Sequence, residues 1–338
     1  MRCSMPLAEP AMKFTTLVPA YKPKYLVELL TALRHQTVKP ARVIFSDDSP
    51  NGAFLAALGS DPIRSAISDL NVDVVPGPRS GGYNNFRHLL QLYRRSSPAP
   101  TELFHLLLDD DIPYPGFYER HLHAHSSATL QCVVSRRWTA TESGQPIRDL
   151  PVPPAIAELG QTLVALQARV LFGQTVGQSA NWLGEFSNTT FRASMAAELD
   201  DPSFGAISFA GLEDLGAFLK ASLHGPIGYI NQHLGYFRTS ADQHSARPMG
   251  RPMKLAFLAY IALAIASRDL GMLTAAQCAG VLGKVCPIIQ HYYGAQADVA
   301  DLCAVLPRLA VGAVGAEAEF LARWKDYVGS SASHPAPA

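Results

Sequence analysis

A chain of 338 residues, 48% hydrophobic and 17% charged, has room for one large α/β domain with a smaller attachment and is too apolar to be generally disordered. Its 28 basic and 28 acidic residues cancel, so no broad electrostatic footprint points to nucleic acid or an anionic membrane. The five cysteines, Cys3, Cys132, Cys278, Cys286 and Cys303, are scattered, odd in number and without metal-type spacing, which suits a reducing cytoplasm. The N-terminus has no long apolar stretch of the signal-peptide kind.

FTTLVPAY (14–21) reads as a buried strand, and YLVELLTALRHQ (25–36) as a helix with Leu26, Leu29, Leu30 and Leu33 on one stripe. ARVIFSDDS (41–49) and NVDVVPGP (71–78) are the second and third strands. After SGG (80–82), Phe86, Leu89, Leu90 and Tyr93 mark another helical stripe, and ELFHLLLDDD (102–111) supplies a fourth strand. Repeated β-α-β order with near-continuous apolar strands predicts a mostly parallel sheet covered by helices on both faces. Three strands end in polar clusters, PAY, SDDS and DDD, and in such sheets ligands collect beyond the carboxyl ends of the strands. Beyond residue 150 the pattern loosens. Residues 151–180 read as helix and loop, NWLGEFSNTTFRAS (181–194) as a strand, and GLEDLGAFLKASLHG (211–225) as a helix with Leu212, Leu215, Leu219 and Leu223 on one face. GYINQHLGYFR (228–238) is a strand, and 253–330 an Ala- and Leu-rich helical region. Its most apolar run, LAFLAYIALAIA (255–266), is too short to span a bilayer and reads as a buried helix.

Asp109, Asp110 and Asp111 stand side by side at the end of the fourth strand, where adjacent carboxylates repel unless a cation balances them. Mg²⁺ or Mn²⁺, which take hard oxygen ligands and bridge carboxylates to phosphates, suit that placement. Asp109 and Asp111, two residues apart, are expected to project to the same side, with Asp110 turned toward a sugar or toward a side chain behind the metal's ligands. An acidic turn capped by Pro113 and Pro115 is the alternative reading of the bare triplet.

TTLVPAYKPKYLVELLTALRHQTVKPARVIFSDDSPNG resembles the opening of a family-2-type glycosyltransferase with the GT-A fold. RSGGYNNFRHLLQLY followed by LLLDDDI is similar to its galactofuranosyltransferase-like branch, and GLEDLGAFLKASLHGPIGYI resembles the family's acidic ED helix and the strand after it. The likeness covers about 13–245. It implies a GT-A catalytic domain there. Outside it, the sequence pattern reads as an N-terminal extension (1–12), a helical C-terminal region (246–330) expected to pack on the catalytic domain or form a dimer, and a small, polar, disordered tail (331–338). The activity implied by the resemblance is inverting transfer of a sugar from a nucleotide-diphosphate donor, with uridine as the favoured base, to a hydroxyl of a glycan, glycolipid or protein. The resemblance implies Pro19, Tyr21 and Asp48 at the nucleotide; Arg79, just before SGG, is a separate candidate to touch base or phosphate. The resemblance also implies Asp109 and Asp111 at the metal and diphosphate and Asp110 at the donor ribose or sugar. Asp214 would be the general base and Glu213 the second choice; as neighbours at a helix start they point about 100° apart. The family often sets a metal-ligating His after an Arg that closes the next strand. Here Thr239 and Ser240 follow Arg238, so His244 is the best substitute and His233 the second. The scattered cysteines and the lack of a signal-like apolar stretch lead to the expectation of a cytoplasmic location, free or peripheral to the inner membrane.

Trp182 is read as an acceptor-stacking platform or a core residue. HLHAH places His121 and His125 on one helical face, where a solvated helix end outweighs a zinc site. Asn188-Thr189-Thr190 is a sequon without a secretory signal, and SGG either cradles phosphate or forms a tight turn. The competing functions are a catalytically degenerate GT-A module that binds nucleotide sugars, and a nucleotidyltransferase. VPAYKPKY lacks the glycines that the latter carries after its first strand.

Overall fold

The computed structural model describes residues 12–96, 100–240 and 247–330. FTTLVPA forms β1 (Phe14–Ala20), buried at every position but Pro19 because it lies inside a sheet covered on both faces. Pro19 has no N–H for a ladder. It is accommodated because β4 (Leu103–Leu106) pairs with β1 only as far as Leu17, so β2 (Arg42–Asp47) alone flanks the last residues. β3 (Val72–Pro76) pairs with β2, giving the parallel order β3-β2-β1-β4. The order reverses at β1, so the carboxyl ends of β1 and β4 splay apart into a crevice, the usual ligand position of an open α/β sheet. The helices between these strands cover it. In α1 (Leu26–Arg34) the predicted leucines are all buried, and in α4 (Gly82–Arg94) so are Phe86, Leu89, Leu90 and Tyr93. α2 (Ala53–Leu58) and α3 (Asp61–Ala66) complete the β2–β3 connection.

The second half of the sheet is mixed. β9 (Thr189–Arg192) runs antiparallel between β4 and β6 (Cys132–Ala140), and β12 (Ile227–Arg238) runs parallel to β6. β5 (Ile112–Pro113) and β8 (Leu163–Leu166) pair with β12, and β7 (Pro146–Asp149) with β6, making a sheet of ten strands among the described residues. α5 (Phe117–His125), α6 (Pro154–Ala157), α7 (Ala168–Gln174), α8 (Met195–Glu198), the hairpin β10 (Ser203–Phe204) and β11 (Ile207–Ser208), and α9 (Glu213–His224) fill the connections.

Three expectations change here. The strand read over 181–194 shrinks to β9, because Gly184 at φ 109° and a 3-10 turn over Phe186–Asn188 break it. The segment 151–180, read as helix and loop, contains β8. In α9 the single apolar face becomes a helix buried from Leu215 to Ser222, with Leu223 exposed near its end. Even Lys220 is buried, its Nζ donating to the carbonyls of Glu198 (2.9 Å) and Asp201 (2.7 Å).

The HLHAH motif is not a solvated helix end. His121 and His125 are fully buried, and the Thr190 hydroxyl lies 2.8 Å from His121 Nδ1 and 3.0 Å from His125 Nε2. Burial holds both rings neutral, His125 down to about 3 and His121 well below its ordinary value. Thr190→Val keeps the shape but strips both nitrogens of their partner. A loss of about 1–3 kcal/mol per nitrogen is expected, read from the urea midpoint.

The C-terminal helices are α10 (Arg251–Asp269), α11 (Ala275–Tyr293), α12 (Ala300–Ala310) and α13 (Ala316–Gly329). Leu258–Ala259 and Ile261–Ala266 of the apolar run are buried, and no helix among the described residues is long and apolar enough to cross a membrane. Leu263, Leu306, Phe320 and Trp324 of these helices share one continuous core with Phe186, Phe209 and Leu215. The expected 245/246 boundary and 331–338 tail, and all but the last residue of the N-terminal extension, lie outside the described residues.

Candidate active site

The Asp triplet sits in the turn after β4, at the mouth of the β1/β4 crevice. Asp109 Oδ2 accepts the backbone N–H groups of Tyr21 and Lys22, both at 2.6 Å, and so ties the exit of β1 to the end of β4. Asp110 pairs with the Lys22 ammonium at 2.9 Å. Burial opposes the charge on Lys22, but Asp110 outweighs it and holds the ammonium above its ordinary value. Asp111 is wholly buried, and its Oδ1 accepts the Arg238 N–H at 3.0 Å. The Arg238 guanidinium stacks on Tyr25 at 4.3 Å and donates to the Asp110 carbonyl at 2.9 Å and to Glu28 at 2.7 Å, so β12 braces the turn from beneath.

Asp109 and Asp111 therefore do not project to the same side. β1 and β12 lie on opposite sides of β4 in the sheet, and each carboxylate turns to its own neighbour. Burial first, and then the adjacent Asp110, pushes Asp109 up to about 7 and Asp111 well above the carboxylate range. Asp111 Oδ2 is buried and takes no hydrogen bond of good geometry, although the Ser187 hydroxyl lies beside it and is held in place by Leu108 N–H at 3.1 Å. An orphaned, buried carboxylate oxygen among crowded acids fits a hard divalent cation. No cluster of three or more His, Cys, Asp or Glu suited to a metal occurs among the described residues, so a cation held here would need further ligands from outside these side chains.

Tyr21, Asp48 and Arg79 gather at the ends of β1, β2 and β3. Tyr21 is 44% exposed, open to stacking. Asp47 is consumed locally: Oδ1 accepts Ser49 N–H at 2.8 Å and Oδ2 accepts Leu55 N–H at 2.9 Å. Asp48 instead accepts Arg79 N–H at 2.6 Å, and burial keeps its carboxyl above the ordinary range. Gly77 is required here, since a Cβ would lie 2.3 Å from Asp48 Oδ1. Arg79 holds a left-handed φ of 52°, so the chain turns sharply before α4.

At the opposite flank α9 begins with Glu213 and Asp214. Glu213 turns back and accepts Gly211 N–H at 2.8 Å. Asp214 Oδ1 accepts Phe186 N–H at 3.3 Å, and its pKa is driven well up by burial, then by Glu185 and Glu213. Glu185 is a site residue the sequence did not disclose. It is clamped by Arg137, whose Nε donates at 2.7 Å and whose second terminal nitrogen also bonds it, while Arg137 reaches Thr139 at 2.7 Å and lies over Phe237. Arg137 and Glu185 are distant in sequence and lie in no recognisable motif; the charged Arg137 inside an otherwise buried strand was the one available signal.

Trp182 is not an acceptor platform. It is 4% exposed, packs edge-on to Tyr229, and its indole N–H is bound to Gln174 O at 3.0 Å. His233 stacks on Trp138 at 3.8 Å and lies 3.0 Å from Asp149, in mid-strand and away from the triplet's turn, which corrects its place as second metal candidate. His244 lies outside the described residues. Asn188 of the sequon is buried with its Nδ2 on Leu183 O at 2.9 Å. In SGG, Gly81 takes φ 96°, the tight turn, directly before α4.

No protein-family model matches the sequence, and no curated protein does. Among solved structures, S. aureus TarS superposes with a TM-score of 0.56 at 14% identity, over 94% of this chain and 55% of that one. S. aureus TarS 1–349 in complex with UDP-GlcNAc gives 0.53 at 15% identity, over 94% and 91%. The mannosyltransferase PcManGT from Pyrobaculum calidifontis, in complex with GDP-Man and Mn²⁺, gives 0.51 at 14% identity, over 96% and 87%. The chain spans about half the length of the full TarS chain. Likeness at such identities shows the fold, which is the GT-A glycosyltransferase fold expected from the sequence, a central sheet whose longest ladders are parallel, flanked by helices.

Proposed function

We propose that this protein is a metal-dependent, inverting glycosyltransferase that uses a nucleotide-diphosphate sugar. Its catalytic unit would span 13–245, with the helical region from 246. The observation that carries the reading is Asp111, a wholly buried carboxylate whose Oδ2 lacks a hydrogen bond of good geometry, at the mouth of the β1/β4 crevice. TarS in complex with UDP-GlcNAc and PcManGT in complex with GDP-Man and Mn²⁺ share the fold and support a donor of that class.

Tyr21 and Asp48 receive the base, with Pro19 lending backbone contact and Arg79 beside them; uracil is the base the family resemblance favours. Asp111 and Asp109 would hold Mn²⁺ or Mg²⁺, and Asp110 would face the donor ribose or sugar. The cation, when bound, neutralises the charge that develops on the departing diphosphate. Asp214 takes the proton of the acceptor hydroxyl as its oxygen attacks the anomeric carbon. The bond to the diphosphate breaks with its electron pair on the leaving oxygen, and one in-line displacement inverts the anomeric centre. Glu213, occupied with Gly211 N–H, anchors the helix start. The acceptor is a hydroxyl of a glycan, glycolipid or protein.

The test is a panel of nucleotide sugars with Mn²⁺, followed by mass spectrometry of acceptor products in cell extract. Release of nucleoside diphosphate from one donor supports the reading. Binding without turnover across the panel points to a degenerate binding module, and release of pyrophosphate from a sugar phosphate and a nucleoside triphosphate to a nucleotidyltransferase. The raised pKa of Asp214 sets the pH dependence. A base must be ionised, and burial with Glu185 beside it favours the protonated form, so kcat/KM should fall as pH drops through a value above the ordinary carboxylate range of about 4. An acid limb at or below that range would count against Asp214.

A further inference from the structure

The turn that delivers Asp214 is gripped by the C-terminal helices. Trp324 of α13 is 1% exposed and its indole N–H donates to the Ser208 carbonyl at 2.8 Å, holding β11 just before the turn. Next comes Phe209, whose ring fills the space beside Gly216 of α9: a Cβ on Gly216 would lie 2.2 Å from it. Gly211 follows at φ 95°, packed so tightly on α10 that a Cβ would meet Ala256 N and Leu255 at 2.7 Å. Gly211 N–H then binds Glu213, and Leu212 O accepts Gly216 N–H at 2.8 Å. Residues 208–212 are thus held directly against α10 and α13.

We propose that the C-terminal helical bundle positions the base, with Trp324 as the positioning residue and Gly211 as the point where α10 sets the height of the turn. This rests on Asp214 being the base. A carboxylate that must meet a hydroxyl proton in the transition state tolerates little displacement, and a misplacement of about 1 Å costs on the order of 10²-fold. The donor elements, β1, β2 and β4, have no part in this grip, so the bundle controls the chemical step and leaves donor binding alone.

The test is Trp324→Phe in the full chain, which keeps an aromatic ring and removes the N–H donor. The expected result is a kcat lowered roughly tenfold to a hundredfold, with donor KM and UDP affinity by calorimetry unchanged. Val285→Ala on α11, buried in the bundle but away from the turn, provides a variant of comparable stability loss that should keep its kcat. Gly211→Ala is the second probe, with the same kcat-specific loss expected. Wild-type kcat in Trp324→Phe, or losses of kcat that merely follow melting temperature across all three variants, would overturn the proposal. A wild-type protein that transfers no sugar would instead fail the functional reading, so the two failures are told apart by the parent enzyme.

Discussion

Asp214→Asn is expected to abolish sugar transfer, with kcat down by about 10²–10⁴-fold, while donor affinity stays at the wild-type level. The amide has nearly the same shape and can still accept Phe186 N–H at the 3.3 Å contact, so α9 keeps its place. It cannot take a proton. Stability should not suffer, because burial and the carboxylates of Glu185 and Glu213 already disfavour the charge that the substitution removes. Glu213→Gln, which keeps an oxygen to accept Gly211 N–H, should cost far less. Initial rates of nucleoside diphosphate release, with calorimetric titration of the donor, decide the matter. If Glu213→Gln is dead and Asp214→Asn active, Glu213 is the base. If both variants transfer sugar normally, the mechanism is wrong.

Removing the metal should be equally damaging. Chelation with EDTA is expected to weaken UDP binding and stop turnover, and Mn²⁺ or Mg²⁺ to restore both. Asp111→Asn should reproduce the loss in the presence of metal, by roughly 10²-fold or more, since neutralising the leaving diphosphate is worth several kcal/mol. Asp111 is a wholly buried acid whose pKa is driven up first by burial and then by Asp110, so the neutral amide should leave the metal-free melting temperature unchanged or raised. Asp109→Asn should differ. Its Oδ2 ties Tyr21 and Lys22 to the end of β4, and the loss should extend to the shape of the nucleotide side. Equal UDP affinity with and without metal would remove the cation from the site.

Local periodicity and strand-end chemistry carried much of this protein. The stripes of α1 and α4, the parallel strands β1 to β4, the acidic triplet and the acidic start of α9 were all legible, because each depends on residues a few positions apart. The crevice at β1 and β4 follows from the same repeated β-α-β order. What one sequence could not carry is which distant side chains meet. β9 enters the sheet antiparallel between β4 and β6, and that pairing carries Glu185 to Arg137 and Phe186 to Asp214. Contacts with the exit of β1 and the end of β12 send Asp109 and Asp111 to opposite neighbours, although their spacing alone suggested a common side. Thr190 of β9 also draws His121 and His125 together, and Trp182 packs against Tyr229, which decides between the core residue and the acceptor platform in favour of the core. The bundle's hold on the turn before α9 is of this kind too: Trp324 and Ser208 are far apart in the chain, and nothing in either local sequence names the other. The sequence determined the elements and the chemistry at their ends, because helix and strand periods are properties of neighbouring residues. Burial, pairing and charge balance at the site were decided only by tertiary structure, because they depend on contacts between segments whose spacing along the chain carries no period.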